Sequence, residues 1–204
     1  MRIVFQGDSV TDAGRDRSHP HNLGEGYPKY AAEELKKRLP GKELEFLNLG
    51  VSGNRSCQLF DRIYDDAIKL KPDIVSVLIG INDAWHRYSE SRIETTDEQF
   101  TANLRAILSR LKNQTDAKIV VLAPFLLDCG DKEEIRRDLE TILPVVRALA
   151  AEYADVYIPL DRIFEEALKT QPAPRYYSVD GVHPNENGSR FIGKVYAEYV
   201  EKLI

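Results

Sequence analysis

The chain has 204 residues, of which 43% are hydrophobic and 30% charged, and its formal net charge is -5. That is the make-up of a single globular domain with a sizeable core, not of a disordered, fibrous or disulfide-stapled chain. Mild acidity and the lack of a long basic cluster argue against nucleic acid or an anionic membrane surface as partner, and no apolar run approaches the length of a membrane span.

The chain enters a strand at once. Ile3, Val4 and Phe5 form a short apolar, β-prone run that stops at Gly7. No room remains for a charged n-region, an apolar stretch and a cleavage site, so a cytoplasmic location is expected. Cys57 and Cys129 have neither metal-ligand spacing nor the density of a disulfide scaffold, which suits free thiols in a reducing compartment.

Asp8, Ser9 and Thr11 follow the glycine directly. In an open α/β sheet the loops beyond the carboxyl ends of the strands line the ligand crevice, so Ser9 is a candidate nucleophile. Asp8 and Ser9 equally suit the cap of a following helix. Residues 13–25 are polar and broken, and include His19-Pro20-His21. Residues 27–39 turn helical, with Pro28 in the first turn and Pro40-Gly41 ending the run. Residues 43–49 alternate into a second strand that breaks at Gly50-Val51-Ser52-Gly53-Asn54, and residues 55–71 are helical up to Pro72. Residues 73–79 form a near-continuous apolar strand, as expected where helices cover both faces, and break at Gly80-Ile81-Asn82-Asp83.

A polar loop with Trp85, His86 and Tyr88 leads to a helix over residues 96–112, a fourth strand over 118–123 and a loop near Cys129-Gly130. Residues 132–153 are helical, with Pro144 expected to kink or split them. A fifth strand over 156–160 and a helix over 162–169 precede a proline-rich loop, then Asp180-Gly181-Val182-His183-Pro184 and a last helix over 186–203. Strands and helices alternate throughout with no linker or repeat. The expected fold is one α/β domain over residues 1–204: a three-layer α/β/α sandwich on a five-stranded parallel sheet.

Three strand ends carry the same punctuation, at Gly7-Asp8-Ser9, Gly50 to Asn54 and Gly80 to Asp83. In a parallel sheet they share one edge, where backbone N–H groups and the Asn82 amide form the neutral donor array that a developing oxyanion needs. Turns also favour Gly, Asn and Asp for local reasons. A carboxylate three residues before a histidine can bond the imidazole Nδ1–H and leave Nε2 as general base. Ser9, Asp180 and His183 therefore supply nucleophile, orienter and base, with Ser52 a rival nucleophile. No second histidine stands at ligand spacing from His183, and His19-Pro20-His21 reads as loop, so neither metal nor other cofactor is expected.

These four blocks resemble the signature of the SGNH hydrolases, also called the GDSL esterase/lipase family. Gly7 to Asp12 stands at its nucleophile block, Gly53 at its glycine, Asn82 at its asparagine, and Asp180 to Pro184 at its acid and base. The resemblance implies a flavodoxin-like fold, Ser9 rather than Ser52 as nucleophile, and an oxyanion hole made by the Ser9 and Gly53 N–H groups and the Asn82 side chain. Within the family the chain is most like bacterial acetylxylan esterases, which implies an acetylated oligosaccharide or another small ester as substrate. Trp85 suits a sugar-stacking surface or a packing anchor, and Tyr88 and Asp8 complete the candidate substrate residues. A lysophospholipase or thioesterase of the same family, and a non-catalytic flavodoxin-like sugar-binding module, are the alternatives. Homo-oligomerisation stays open.

Overall fold

The computed structural model describes residues 1–90 and 92–204. Five strands build one sheet: β1 (Arg2–Gly7), β2 (Glu45–Asn48), β3 (Ile74–Leu78), β4 (Lys118–Leu122) and β5 (Val156–Ile158). Every neighbouring pair runs parallel, in the order β2-β1-β3-β4-β5. The order reverses between β1 and β3, which is where ligands bind in sheets of this kind. Ser9 follows β1 and Asn82 follows β3, so both lie at that switch point.

Helices cover both faces. On one lie α2 (Tyr27–Arg38), α7 (Leu160–Thr170) and α8 (Glu186–Val200), and on the other α3 (Ser56–Asp66), α5 (Asp97–Gln114) and α6 (Glu133–Tyr153). The expected three-layer sandwich is thus present. Its strands are apolar on both sides because each side is roofed by helix. Phe5 packs on Tyr27 of α2 and Tyr196 of α8 at ring distances of 5.7 and 5.2 Å. Its neighbour Gln6 faces the opposite layer and is bonded by Arg62 of α3.

Several local details differ from expectation. A four-residue helix, α1 (Ser9–Asp12), follows the first strand ahead of the polar stretch, with Asp8 as its cap. A five-residue helix, α4 (Ile81–Trp85), takes Trp85 out of the polar loop. Leu160 opens α7 instead of closing the fifth strand, and 3-10 turns finish the third and eighth helices. Pro144 does not split α6, which runs from Glu133 to Tyr153. Pro144 and Glu140 are both exposed, so the carbonyl that loses its N–H partner can turn to water.

Ser76 in β3 lies in register with Phe5, and its hydroxyl is 2.5 Å from the hydroxyl of Tyr196. Both residues are fully buried. Ser76→Ala therefore strands a buried phenol, and is expected to cost about 1–3 kcal/mol. Ser76→Ala with Tyr196→Phe should recover part of that loss in urea unfolding. A double variant no more stable than the single one would show that the hydroxyl pair contributes little.

Candidate active site

The site assembles on the carboxyl edge of β1, β2 and β3. Asp8 caps α1 by accepting from the Val10 N–H at 3.0 Å, which places Ser9 at the first helical position. Asp8 therefore acts as the cap, and the Ser9 side chain faces a histidine. Ser9 Oγ lies 3.0 Å from His183 Nε2. His183 Nδ1 lies 2.8 Å from Asp180 Oδ2, and Asp180 Oδ1 accepts from the Val182 and His183 N–H groups at 3.0 and 2.8 Å. Because a carboxylate only accepts, Nδ1 carries the proton and Nε2 is left to accept from Ser9. Burial pushes the Asp180 carboxyl up, but the donors from His183 and Val182 outweigh it and hold it below the usual carboxylate range.

Ser52, the rival nucleophile, is engaged elsewhere. Its N–H and hydroxyl both donate to Asp12 Oδ2 at 2.8 Å, an oxygen also held by Arg17. Gly53 has φ +81°, a left-handed conformation that glycine adopts freely, and nothing lies within 4 Å of where a Cβ would stand. Asn82 is buried, and its Nδ2 donates to the Asn54 carbonyl at 3.0 Å. The amide has a second hydrogen to offer an oxyanion. Asp83, also buried, accepts from the Ser56 N–H and hydroxyl and ties this block to the start of α3. The nucleophile, glycine, asparagine and acid–base blocks thus meet through named hydrogen bonds.

The other candidate residues divide. The Trp85 ring lies 5.8 Å from the His183 ring, with Lys132 Nζ 5.6 Å from the indole. Tyr88 is exposed and its hydroxyl donates to Asp138 of α6. Asp8 is 1% exposed and lies under the nucleophile helix, turned toward its own cap bond. A cleft of about 230 Å³ opens over Ser9, lined by Val10, Ala13, Glu25, His183, Pro184 and Ser189. Both cysteines are free and half-buried. Among the described residues no group of three or more His, Cys, Asp or Glu could hold a metal ion, and no helix is long and apolar enough to cross a membrane.

Residue-by-residue reading of the sequence passed over Arg62. Its Nε donates to Asn54 Oδ1 at 2.7 Å, Nη1 to Gln6 Oε1 and the Leu49 carbonyl at 2.7 Å, and Nη2 to the Gly7 carbonyl at 2.9 Å. The available signal was its position: Arg62 and Asp66 are half-buried beside the buried Leu59 and Ile63 of α3, where a charged pair needs a reason.

A serine hydrogen-bonded to a carboxylate-oriented histidine, with donors gathered at the sheet's switch point, defines a serine esterase. The family model for the GDSL-like lipase/acylhydrolase family matches residues 5–191. The chain is 30% identical over 202 residues to the acetylxylan esterase of Geobacillus stearothermophilus, spanning 96% of this chain and 91% of that protein. The crystal structure of Axe2, an acetylxylan esterase from Geobacillus stearothermophilus, matches with a TM-score of 0.87 at 29% identity over 99% of this chain and 93% of that one. LAE5, an α/β hydrolase from the metagenome of Lake Arreo, matches with a TM-score of 0.89 at 26% identity over 100% and 96%. Solved catalytic mutants of Axe2 replace a serine, an aspartate or a histidine by alanine. The chain belongs to the GDSL-like lipase/acylhydrolase family and is a carboxylic ester hydrolase.

Burial pushes the Asp8 carboxyl from its ordinary 3.8 up to about 7, against the pull of the Val10 N–H, His183 and Arg62. An acid whose folded pKa is raised binds its proton more tightly when folded. The stability it contributes is present below the ordinary value and is lost as pH rises through about 7. Asp8→Asn keeps an acceptor for Val10 but does not titrate. Its unfolding free energy in urea should therefore fall less than that of the parent protein between about pH 5 and pH 8. An equal fall in both would show that Asp8 ionises as an ordinary carboxylate.

Proposed function

We propose that this esterase removes acetyl groups from carbohydrates, with Ser9 as nucleophile, His183 as base, Asp180 as its orienter, and the Ser9 N–H, Gly53 N–H and Asn82 amide as oxyanion donors. The observation that carries the assignment is the unbroken line from Ser9 Oγ through His183 to Asp180, at 3.0 and 2.8 Å. Its three residue types are those replaced in the catalytic mutants of Axe2.

The geometry supports the following sequence. Ser9 Oγ attacks the acetyl carbonyl carbon while His183 Nε2 takes its proton, and the carbonyl oxygen becomes an oxyanion facing the three donors. The Asp180 carboxylate stabilises the imidazolium and keeps the ring oriented. Collapse breaks the ester bond, and the departing sugar oxygen takes the proton from Nε2 to leave as a hydroxyl. Water then attacks the acetyl-enzyme with His183 again as base, releasing acetate and restoring Ser9. The open, mixed-polarity cleft beside Ser9, with Glu25 and Ser189 on its walls, suits a short acyl group on a polyhydroxylated alcohol. Trp85 beside His183 offers an aromatic edge to a sugar face.

Ser9→Ala should lower kcat/KM by about 10⁴-fold or more and leave the melting temperature nearly unchanged. Asn82→Ala should lower kcat about 10²–10³-fold with little change in KM, because the oxyanion exists only after attack. The substrate assignment is tested by acetate release from acetylated xylo-oligosaccharides, compared with p-nitrophenyl acetate, long-chain esters and lysophospholipids. Preference for the acetylated sugar is expected. Preference for a long-chain ester would overturn the carbohydrate reading and leave the esterase intact.

A further inference from the structure

Gly53 poses a positioning problem. It is exposed, its φ is +81°, and no atom lies near where its side chain would be, so packing at Gly53 itself does not determine where its N–H points. Both neighbours, however, are held by charged residues from different elements. On one side Ser52 donates its N–H and hydroxyl to Asp12, the last residue of the nucleophile helix. On the other, the Asn54 side chain accepts from Arg62 of α3, and the Asn54 carbonyl accepts from Asn82.

Both anchors are themselves rigid. Asp12 is 2% exposed, and its carboxylate is shared with Arg17. The Arg62 side chain is 17% exposed, and the same guanidinium holds the Gly7 and Leu49 carbonyls where β1 and β2 end. Asn48 adds a third tie, donating to the Thr11 carbonyl and accepting from the Gly50 N–H at 2.7 and 3.0 Å.

We propose that Asp12 and Arg62 are positioning residues that clamp the glycine block from its two sides and aim the Gly53 N–H at the reacting oxygen. The clamp rests on the reading of Gly53 as an oxyanion donor. Through Asp12 the nucleophile helix and the donor loop become one body, so Ser9 and Gly53 keep their spacing during attack. Misplacing a reacting partner by about 1 Å can cost about 10²-fold, even when the change is remote from the chemistry.

The test uses the full chain and p-nitrophenyl acetate, with phenylboronic acid as a probe that adds to the serine and places a tetrahedral oxygen at the donors. Asn54→Ala removes the acceptor for Arg62 and keeps the backbone carbonyl for Asn82. Asp12→Ala removes the other side, and Asp12→Asn restores an acceptor for Ser52. Each alanine variant should lower kcat about 10- to 100-fold with KM within about twofold, and weaken phenylboronic acid in proportion. Asp12→Asn should recover part of the kcat lost in Asp12→Ala. The double alanine variant should lose less than the product of the two single losses, because both act on one N–H.

Unchanged kcat in folded Asn54→Ala would overturn the clamp, as would a change confined to KM, or a kcat loss with phenylboronic acid affinity intact. Asn54 is only half-buried, so that variant carries the test alone if the Asp12 variants do not fold. Ser9→Ala in parallel separates the two levels: if it stays active, the Ser9 nucleophile on which the oxyanion reading rests fails, whatever the clamp variants do.

Discussion

The structure turns on a buried guanidinium at the carboxyl edge of the sheet. Where strands stop, their last carbonyls lose ladder partners, and a buried carbonyl without a donor costs free energy. Arg62 donates to the Leu49 carbonyl just past β2, and at the end of β1 it joins the Val51 N–H on the Gly7 carbonyl. A buried cation carries a desolvation penalty of its own, which the side chain offsets with Gln6, Asn54 and Asp66 as further acceptors. One residue thus satisfies the strand ends and joins β1, β2 and the glycine block, from a helix that belongs to none of them. The edge where chemistry is placed is also the edge where the backbone is most in need of partners.

From that frame the division of labour between carboxylates follows. Asp180, half-open to solvent and bonded by three donors, is held ionised, as the orienter of an imidazolium must be. Asp8, one residue from the nucleophile, is buried with one backbone donor, and its carboxyl is pushed toward neutrality. Asp12 and Asp83 are buried too, yet each is bonded to the N–H and hydroxyl of one serine, Ser52 and Ser56. Four aspartates near one serine therefore fill three roles, separated by the donors each meets. The two that bind serines hold loops, and the one that binds the histidine acts on the reaction.

Much of this was legible in the sequence. Four apolar runs ended by Gly or Pro and a fifth short run marked the strands, and Asp180 to His183 announced a carboxylate–imidazole pair because three residues of turn bring the two side chains together. The short helices α1 and α4 escaped notice, since four or five residues cannot show a 3.6-residue period. Asp12 and Arg62 were hidden for a different reason. Their partners lie 40 and 55 residues away at Ser52 and Gly7, and only the assembled sheet brings them together.

The central claim is that the oxygen of Ser9 becomes covalently bonded to the acyl group. Labelling with a small fluorophosphonate, followed by peptide mass spectrometry, reads that directly, because phosphonylation needs both an activated serine and donors for the phosphoryl oxygen. The account predicts one adduct, on the peptide carrying Ser9, formed in step with loss of esterase activity. An adduct on Ser52, or full loss of activity with Ser9 unmodified, would contradict it.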